Sequence, residues 1–370
     1  MNLSKTSALC SLLFCLSLAS CGNDSKEGNA RIPPPEIAQN IDILRDLNPE
    51  LRQYLSDPAL FSVTRDLGPS IMDARNLPFR SGIAQSEIRP WSAWWYPKKE
   101  ILTPIEGSLV SALEKYDRVR RYHYGATVRS AADYERRSVT APPLAWEGLC
   151  DAWALASISI PEPKQAISIE IGAARVLFSI SDLKALILKT YEAVDDSSLA
   201  YYGQKFTGNS DGWVYPDIFP EQFHRFLEVQ LFQKKMPFIM DHDGGIEIWN
   251  IPVYKANYLV DAVSGYPNAV SVRAWLYSAE STTSQNRNLV GTREAIREYN
   301  YVLSGYRNAE DKLVITSGHW TTGPNGVNSR KDHPDYLFKV RDPSQLTRKS
   351  SNPEIETAIV DAILSGRAPQ

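Results

Sequence analysis

The sequence predicts an α+β protein in which a thiol-bearing helix packs on an antiparallel β-sheet or half-barrel, with extra helices around it. Three observations predict this. Helical spacing dominates to about residue 234, and period-two runs rich in β-branched and aromatic residues replace it after residue 238. The third is composition: 43% of the 370 residues are apolar, enough for a sizeable core. The 40 Lys and Arg nearly balance 43 Asp and Glu, which excludes a disordered polyelectrolyte and a strongly basic nucleic-acid binder.

The first segment carries addressing information. Met1 to Lys5 is a charged leader, and the apolar run from Ala8 to Ala19 is too short to span a bilayer. Leu18-Ala19-Ser20-Cys21 resembles the lipobox of bacterial lipoproteins. Residues 1–20 are therefore expected to be a lipoprotein signal peptide and Cys21 the lipid-attachment site. The protein would then sit in the bacterial cell envelope, held to a membrane by lipid; a plain secretory signal is the alternative. Residues 21–40, polar and including Pro33-Pro34-Pro35, are suited to a flexible tether. Processing at this site would remove Cys10 and Cys15, leaving Cys150 with no disulfide partner besides a lipidated cysteine. Such a thiol in an oxidising compartment is either buried and inert or kept for its reactivity.

All nine tryptophans lie after residue 90, so the aromatic core is expected there, with 41–89 as an N-terminal helical wrap and 90–345 as the catalytic domain. A helix is expected over Leu109 to Arg120 and another beginning close to Cys150. Ser181-Asp182 is a candidate cap for a helix over Leu183 to Ala193, and Pro220 suits the first position of one running to about Lys234. Strands follow at Phe238 to Met240, Glu247 to Val260, Val270 to Ser278, Ile296 to Leu303 and Leu313 to Thr316, with a turn at Asp241 to Gly245. A terminal helix within 346–370 has Asn352 as its expected cap and Pro353 at its first position.

Gly148 precedes Cys150 and good helix formers follow it, which places the thiol in the first turn of a helix. The free N–H groups and positive dipole end found there favour thiolate and could hold an oxyanion. Trp146 and Trp153 flank it as candidate apolar walls, as do Trp94, Trp95 and Trp249 further along the chain; a core role is the alternative for each. A thiolate enzyme needs a base. His123 lies in the basic stretch from Arg118, and His319 and His333 fall in Gly/Pro-rich segments that suggest turns or surface. His224 shares a helix face with Leu227 and Leu231, and Asp241 or Asp243 follows at a spacing that could return a carboxylate to its ring. His242 with Asn250 or Asp243 is the rival pairing.

Several segments resemble one family. Ile248-Trp249-Asn250-Ile251-Pro252-Val253-Tyr254 is similar to the surface motif Val-Trp-Asn-Gln-Pro-Val of the oomycete transglutaminase elicitors, a family with bacterial members and a papain-related fold. In the same order, Pro90-Trp91-Ser92, Leu113 to Asp117, Trp146 to Ala154, Phe223-His224, Gly318 to Trp320 and His333 to Leu337 also look similar. The resemblance implies a papain-like cysteine transferase, a protein-glutamine γ-glutamyltransferase, with Cys150 as nucleophile. It favours His224 over His242 as base, and Asp241, from its spacing, is the carboxylate expected to orient it. Its partners would be a protein or peptide glutamine donor and a lysine or small primary amine acceptor. The sequence departs from the pattern at two places: Asp151-Ala152 follows the thiol where the family usually has His-Gly, and Ile251 replaces the motif's Gln. A papain-like peptidase or amidase of envelope peptides, and a catalytically silent binding domain, are the alternatives.

No cofactor is required by the sequence. Asp241-x-Asp243-Gly244-Gly245 begins like a calcium loop, but Pro252 stands where the bidentate Glu would be, so a turn is favoured and a divalent cation stays possible. No zinc-type Cys/His cluster, phosphate-binding glycine loop or long basic patch is present.

Overall fold

An antiparallel sheet of ten strands carries helices on both faces. The computed structural model describes residues 61–98, 109–138, 147–203, 217–242 and 247–367. The signal peptide, the tether, Cys21, Trp146 and Asp243 lie outside the described residues.

In chain order the elements are α1 (Ser62–Leu67), β1 (Ile71–Met72), β2 (Phe79–Arg80), β3 (Ala84–Gln85), α2 (Ala112–Tyr124), α3 (Ala131–Ser138) and α4 (Cys150–Ser159). The hairpin β4 (Ile167–Ile171) and β5 (Ala174–Phe178) follows, then α5 (Ile180–Tyr191), β6 (Leu199–Gly203) and α6 (Pro220–Leu227), which runs on as a π-helix over Glu228–Gln233. The remaining elements are β7 (Phe238–Asp241), β8 (Asn250–Ala262), β9 (Ala269–Ala279), β10 (Glu294–Arg307), β11 (Leu313–Trp320), β12 (Tyr336–Val340) and α7 (Thr357–Leu364). The strand order is β1-β11-β10-β9-β8-β7-β12-β6, with β2 and β3 also pairing with β8. The long strands run up and down from β7 to β11, whereas β12 inserts between β7 and β6.

Period-two alternation divides the core. On β7, Phe238 and Met240 join a cluster with α6, while Ile239 joins the cluster formed by α2, α4, α5 and α7. On β12, Leu337 falls with the first group and Tyr336 and Phe338 with the second. The helix carrying the thiol and the helix carrying His224 therefore belong to opposite faces of one sheet.

The helical wrap expected over 41–89 is not what its described part forms. Residues 61–89 hold one six-residue helix and three two-residue strands, because Gly68-Pro69 and Pro78 interrupt any helical ladder. The cap of α5 is Ser179, two residues before the one expected. Asp182, its reciprocal partner in a capping box, also takes a buried ion pair from Lys115 at 2.6 Å that ties α2 to α5. Asn352 caps no helix. Its amide donates to Ala131 O and Glu135 while its oxygen accepts from Glu354 N, so α7 starts at Thr357. The β4–β5 hairpin, β6 and β12 have no counterpart among the elements expected from the sequence.

Candidate active site

The site is built where the start of α4 meets the strand ends of β7 and β8. Leu149 N donates to Trp95 O at 2.7 Å and Lys98 N to Glu147 O at 2.9 Å, so the 95–98 segment lies alongside the residues before the thiol. This approach requires glycine at 148, since a Cβ there would stand 2.2 Å from Trp95 Cε3. Cys150 becomes the first residue of α4, with Leu149 as an N-cap that makes no side-chain capping bond.

The thiol is 8% exposed. Its Sγ donates to Asp151 Oδ1 at 3.2 Å and lies 3.6 Å from Ile248 O. Asn250 Nδ2 donates to the same Asp151 oxygen at 2.7 Å and to Tyr336 OH at 3.0 Å. Thus α4, the first residue of β8 and the first residue of β12 are joined in one hydrogen-bonded chain that ends at the sulfur. Asp241 closes the strand end by accepting from Trp249 N at 2.9 Å.

Burial, and then the adjacent Asp151 carboxylate, push the Cys150 thiol well above its usual range, with the backbone N–H groups of Asn250 and Asp151 pulling weakly the other way. This corrects the expectation of a thiolate. A helix N-terminus supplies up to about 2 kcal/mol to an anion, which the loss of hydration on burial, with the Asp151 carboxylate beside the sulfur, outweighs. The protonated, hydrogen-bonded thiol is therefore the favoured resting form. Tyr201 beside Tyr336 is pushed up to about 12 by burial, Asp196 and Asp151.

The expected base is not beside the sulfur. His224 is fully buried on the other face of the sheet, with Nδ1 at 2.8 Å from Tyr301 OH, Nε2 at 3.6 Å from Glu228 and its ring edge-on to Tyr258. Asp241 therefore does not orient His224. His242 does not hydrogen-bond the sulfur either; its imidazole is pushed down to about 3 by burial and Arg297, and its carbonyl accepts from Tyr299 OH. His319 lies on strand β11, and His333 is buried, stacked on Trp320 and 2.9 Å from Asp217. Neither occupies the exposed turn that its sequence context suggests. Among the described residues no imidazole hydrogen-bonds Cys150.

The tryptophans divide. Trp153 is core, 1% exposed, with Nε1 donating to Trp91 O. Trp249 is half-buried, donates to Glu247 and meets Trp95 edge-on at 5.8 Å. Trp95 and Trp249 thus flank the segment whose Ile248 carbonyl touches the sulfur. Sequence reasoning missed Asp151 and Tyr336 as site residues. The signal for Asp151 was its place directly after the thiol; Tyr336 lies in the family-like His333 to Leu337 segment, but only a strand insertion brings it to the site. Asn250, the alternate, is in the site.

The transglutaminase elicitor family profile matches residues 133–272, a span containing Cys150, Asp151 and Asn250. Over residues 133–272 the chain is thus similar to the transglutaminase elicitor family. The crystal structure of the GP42 transglutaminase from Phytophthora sojae is similar in fold, with a TM-score of 0.58 and 18% identity over 84% of this chain and 97% of that one. No curated protein sequence matches the chain. Within the matched segment, Ile251 is buried opposite Met240 in the β7–β8 pair. The stretch that resembles the elicitor surface motif is thus partly core here. Among the described residues no three potential ligands cluster as a metal site, and no helix is long and apolar enough to cross a membrane.

Proposed function

We propose that the chain is a cysteine acyltransferase of the transglutaminase type, which forms a thioester between Cys150 and a glutamine side chain and passes the acyl group to a primary amine. The observation that carries this reading is a lone thiol at the start of α4, bonded to Asp151 and packed against Asn250 within the family-matched segment. The sulfur attacks the carboxamide carbon, the oxyanion is met by N–H groups of the first turn of α4, and ammonia leaves. A lysine or small amine then attacks the thioester and forms an amide while the thiol is restored. Trp95 and Trp249 are the groups that would keep water from the thioester.

The test is incorporation of monodansylcadaverine into casein. The full chain is expected to label casein, and Cys150→Ala to abolish labelling. Deamidation or cleavage of casein without labelling would favour the amidase or peptidase reading, for which the solvent exposure of Asp151 beside the thiol provides a route for water. No thiol-dependent turnover would leave a binding domain. We also propose lipid attachment at Cys21, supported by the lipobox-like Leu18 to Cys21; radiolabelled palmitate should mark the chain and fail to mark Cys21→Ala.

A further inference from the structure

We propose that Asp151 is the catalytic proton acceptor for Cys150, so that this chain performs its thiol chemistry with a Cys–Asp pair positioned by Asn250 and Tyr336, without a Cys–His pair. The assignment deepens the acyl-transfer reading and rests on it.

Three observations converge. Asp151 Oδ1 is the side-chain atom to which the thiol donates, at 3.2 Å. The same oxygen accepts Asn250 Nδ2 at 2.7 Å, and the second proton of that amide is held by Tyr336 OH at 3.0 Å. Asn250 is 2% exposed, so the carboxylate is aimed at the sulfur by a buried amide fixed at both protons. Third, no imidazole among the described residues hydrogen-bonds the sulfur. His123 packs on Tyr124, His224 on Tyr301, and His333 on Asp217 and Trp320. His242 and His319 lie near Arg297 and Arg330. Among the described residues, the titratable groups around the cluster include Asp241 from β7, Tyr201 from β6 and Tyr336 from β12. None of these is a cation that would hold a resting thiolate.

A neutral thiol next to a carboxylate reacts by moving its proton as the carbon–sulfur bond forms. The S–H proton passes to Asp151 Oδ1, the sulfur lone pair bonds the carboxamide carbon, and the carbonyl π pair moves to oxygen. On collapse, the C–N pair leaves with nitrogen, which takes the proton back from Asp151 and departs as ammonia. In the second half the incoming neutral amine gives a proton to Asp151, the C–S pair returns to sulfur, and the sulfur recovers that proton. Each turnover ends with the proton back on the sulfur.

The test uses the full chain with Asp151→Asn and Asp151→Glu, and two readouts: monodansylcadaverine incorporation into casein, and iodoacetamide alkylation at the Cys150 peptide as a function of pH. Asp151→Asn is expected to lower kcat about 100-fold and to move the alkylation midpoint at least about one pH unit lower, because a neighbouring negative charge is gone. Asp151→Glu should recover part of kcat. A purely structural role for Asp151 would lower activity without moving the thiol titration downward. Incorporation by Asp151→Asn within about threefold of wild type, or an unmoved alkylation midpoint, overturns the assignment. Wild-type chain that labels no casein defeats the acyl-transfer reading instead, and the alkylation titration still decides whether Asp151 holds the thiol proton.

Discussion

At the scale of single residues, the site turns on a sulfur that is shielded and protonated at rest. Because burial and Asp151 both disfavour the thiolate, iodoacetamide at pH 7.5 should modify Cys150 at least about tenfold more slowly in the folded chain than in urea. Equal rates would show that the neighbours do not hold the proton. Tyr336→Phe removes the acceptor of one Asn250 proton and leaves a buried N–H without its partner. A loss of about 1–3 kcal/mol in urea denaturation is expected, with a fall in amine incorporation as Asn250 loses its anchor. Cys150 could be found from the sequence because Gly148 and the helix formers after it fix its local position. The base could not be chosen that way. The spacing of His224 with Leu227 and Leu231 reveals a buried ring but not the face of the sheet on which it is buried, and that face is decided by strand alternation far along the chain.

At the scale of elements, the thiol helix is aimed by what precedes it. Gly148→Ala would drive a Cβ into the Trp95 ring, so the 95–98 segment must separate from 147–149. About 1–3 kcal/mol of destabilisation is expected, together with altered near-ultraviolet dichroism from Trp95 and Trp249 and reduced amine incorporation. Unchanged spectra would mean that the close approach is not required. Ser179→Ala removes the side-chain acceptor at the start of α5 and should cost about 1 kcal/mol without altering the reactivity of Cys150. Long elements were legible wherever local chemistry defined them: Pro220 starts α6, and the β-branched runs give β7 to β11. Short ones were not. The strands between residues 71 and 85 owe their existence to pairing with β8 and β11, and the true cap of α5 depends on the reciprocal bond with Asp182.

At the scale of the whole molecule, acid should weaken the fold through histidines. Burial and Arg330 hold His319 down to about 4, and burial and Arg297 hold His242 down to about 3. The unfolded chain takes up these protons below about 6.5, so it binds more protons than the native state between 6.5 and the depressed values. Stability is therefore full above about 6.5 and falls as pH drops towards 4, by at most about 1.4 kcal/mol per pH unit for each ring and by less given their partial exposure. Urea midpoints at pH 4.5, 5.5 and 6.5 should show this slope, and His319→Gln should flatten it; identical slopes would remove His319 from the account. The α+β class was legible from the order of helical and period-two segments, because that order is a property of the chain as a string. The insertion of β12 between β6 and β7 was not, because it joins partners more than ninety residues apart.

That insertion has a consequence for the life history of the chain. Tyr336 enters the sheet only after the last long hairpin, so a nascent polypeptide carries its sulfur long before the group that anchors Asn250 has emerged. Under the proposed acyl-transfer reading, the site would be completed only when the end of the chain has been made.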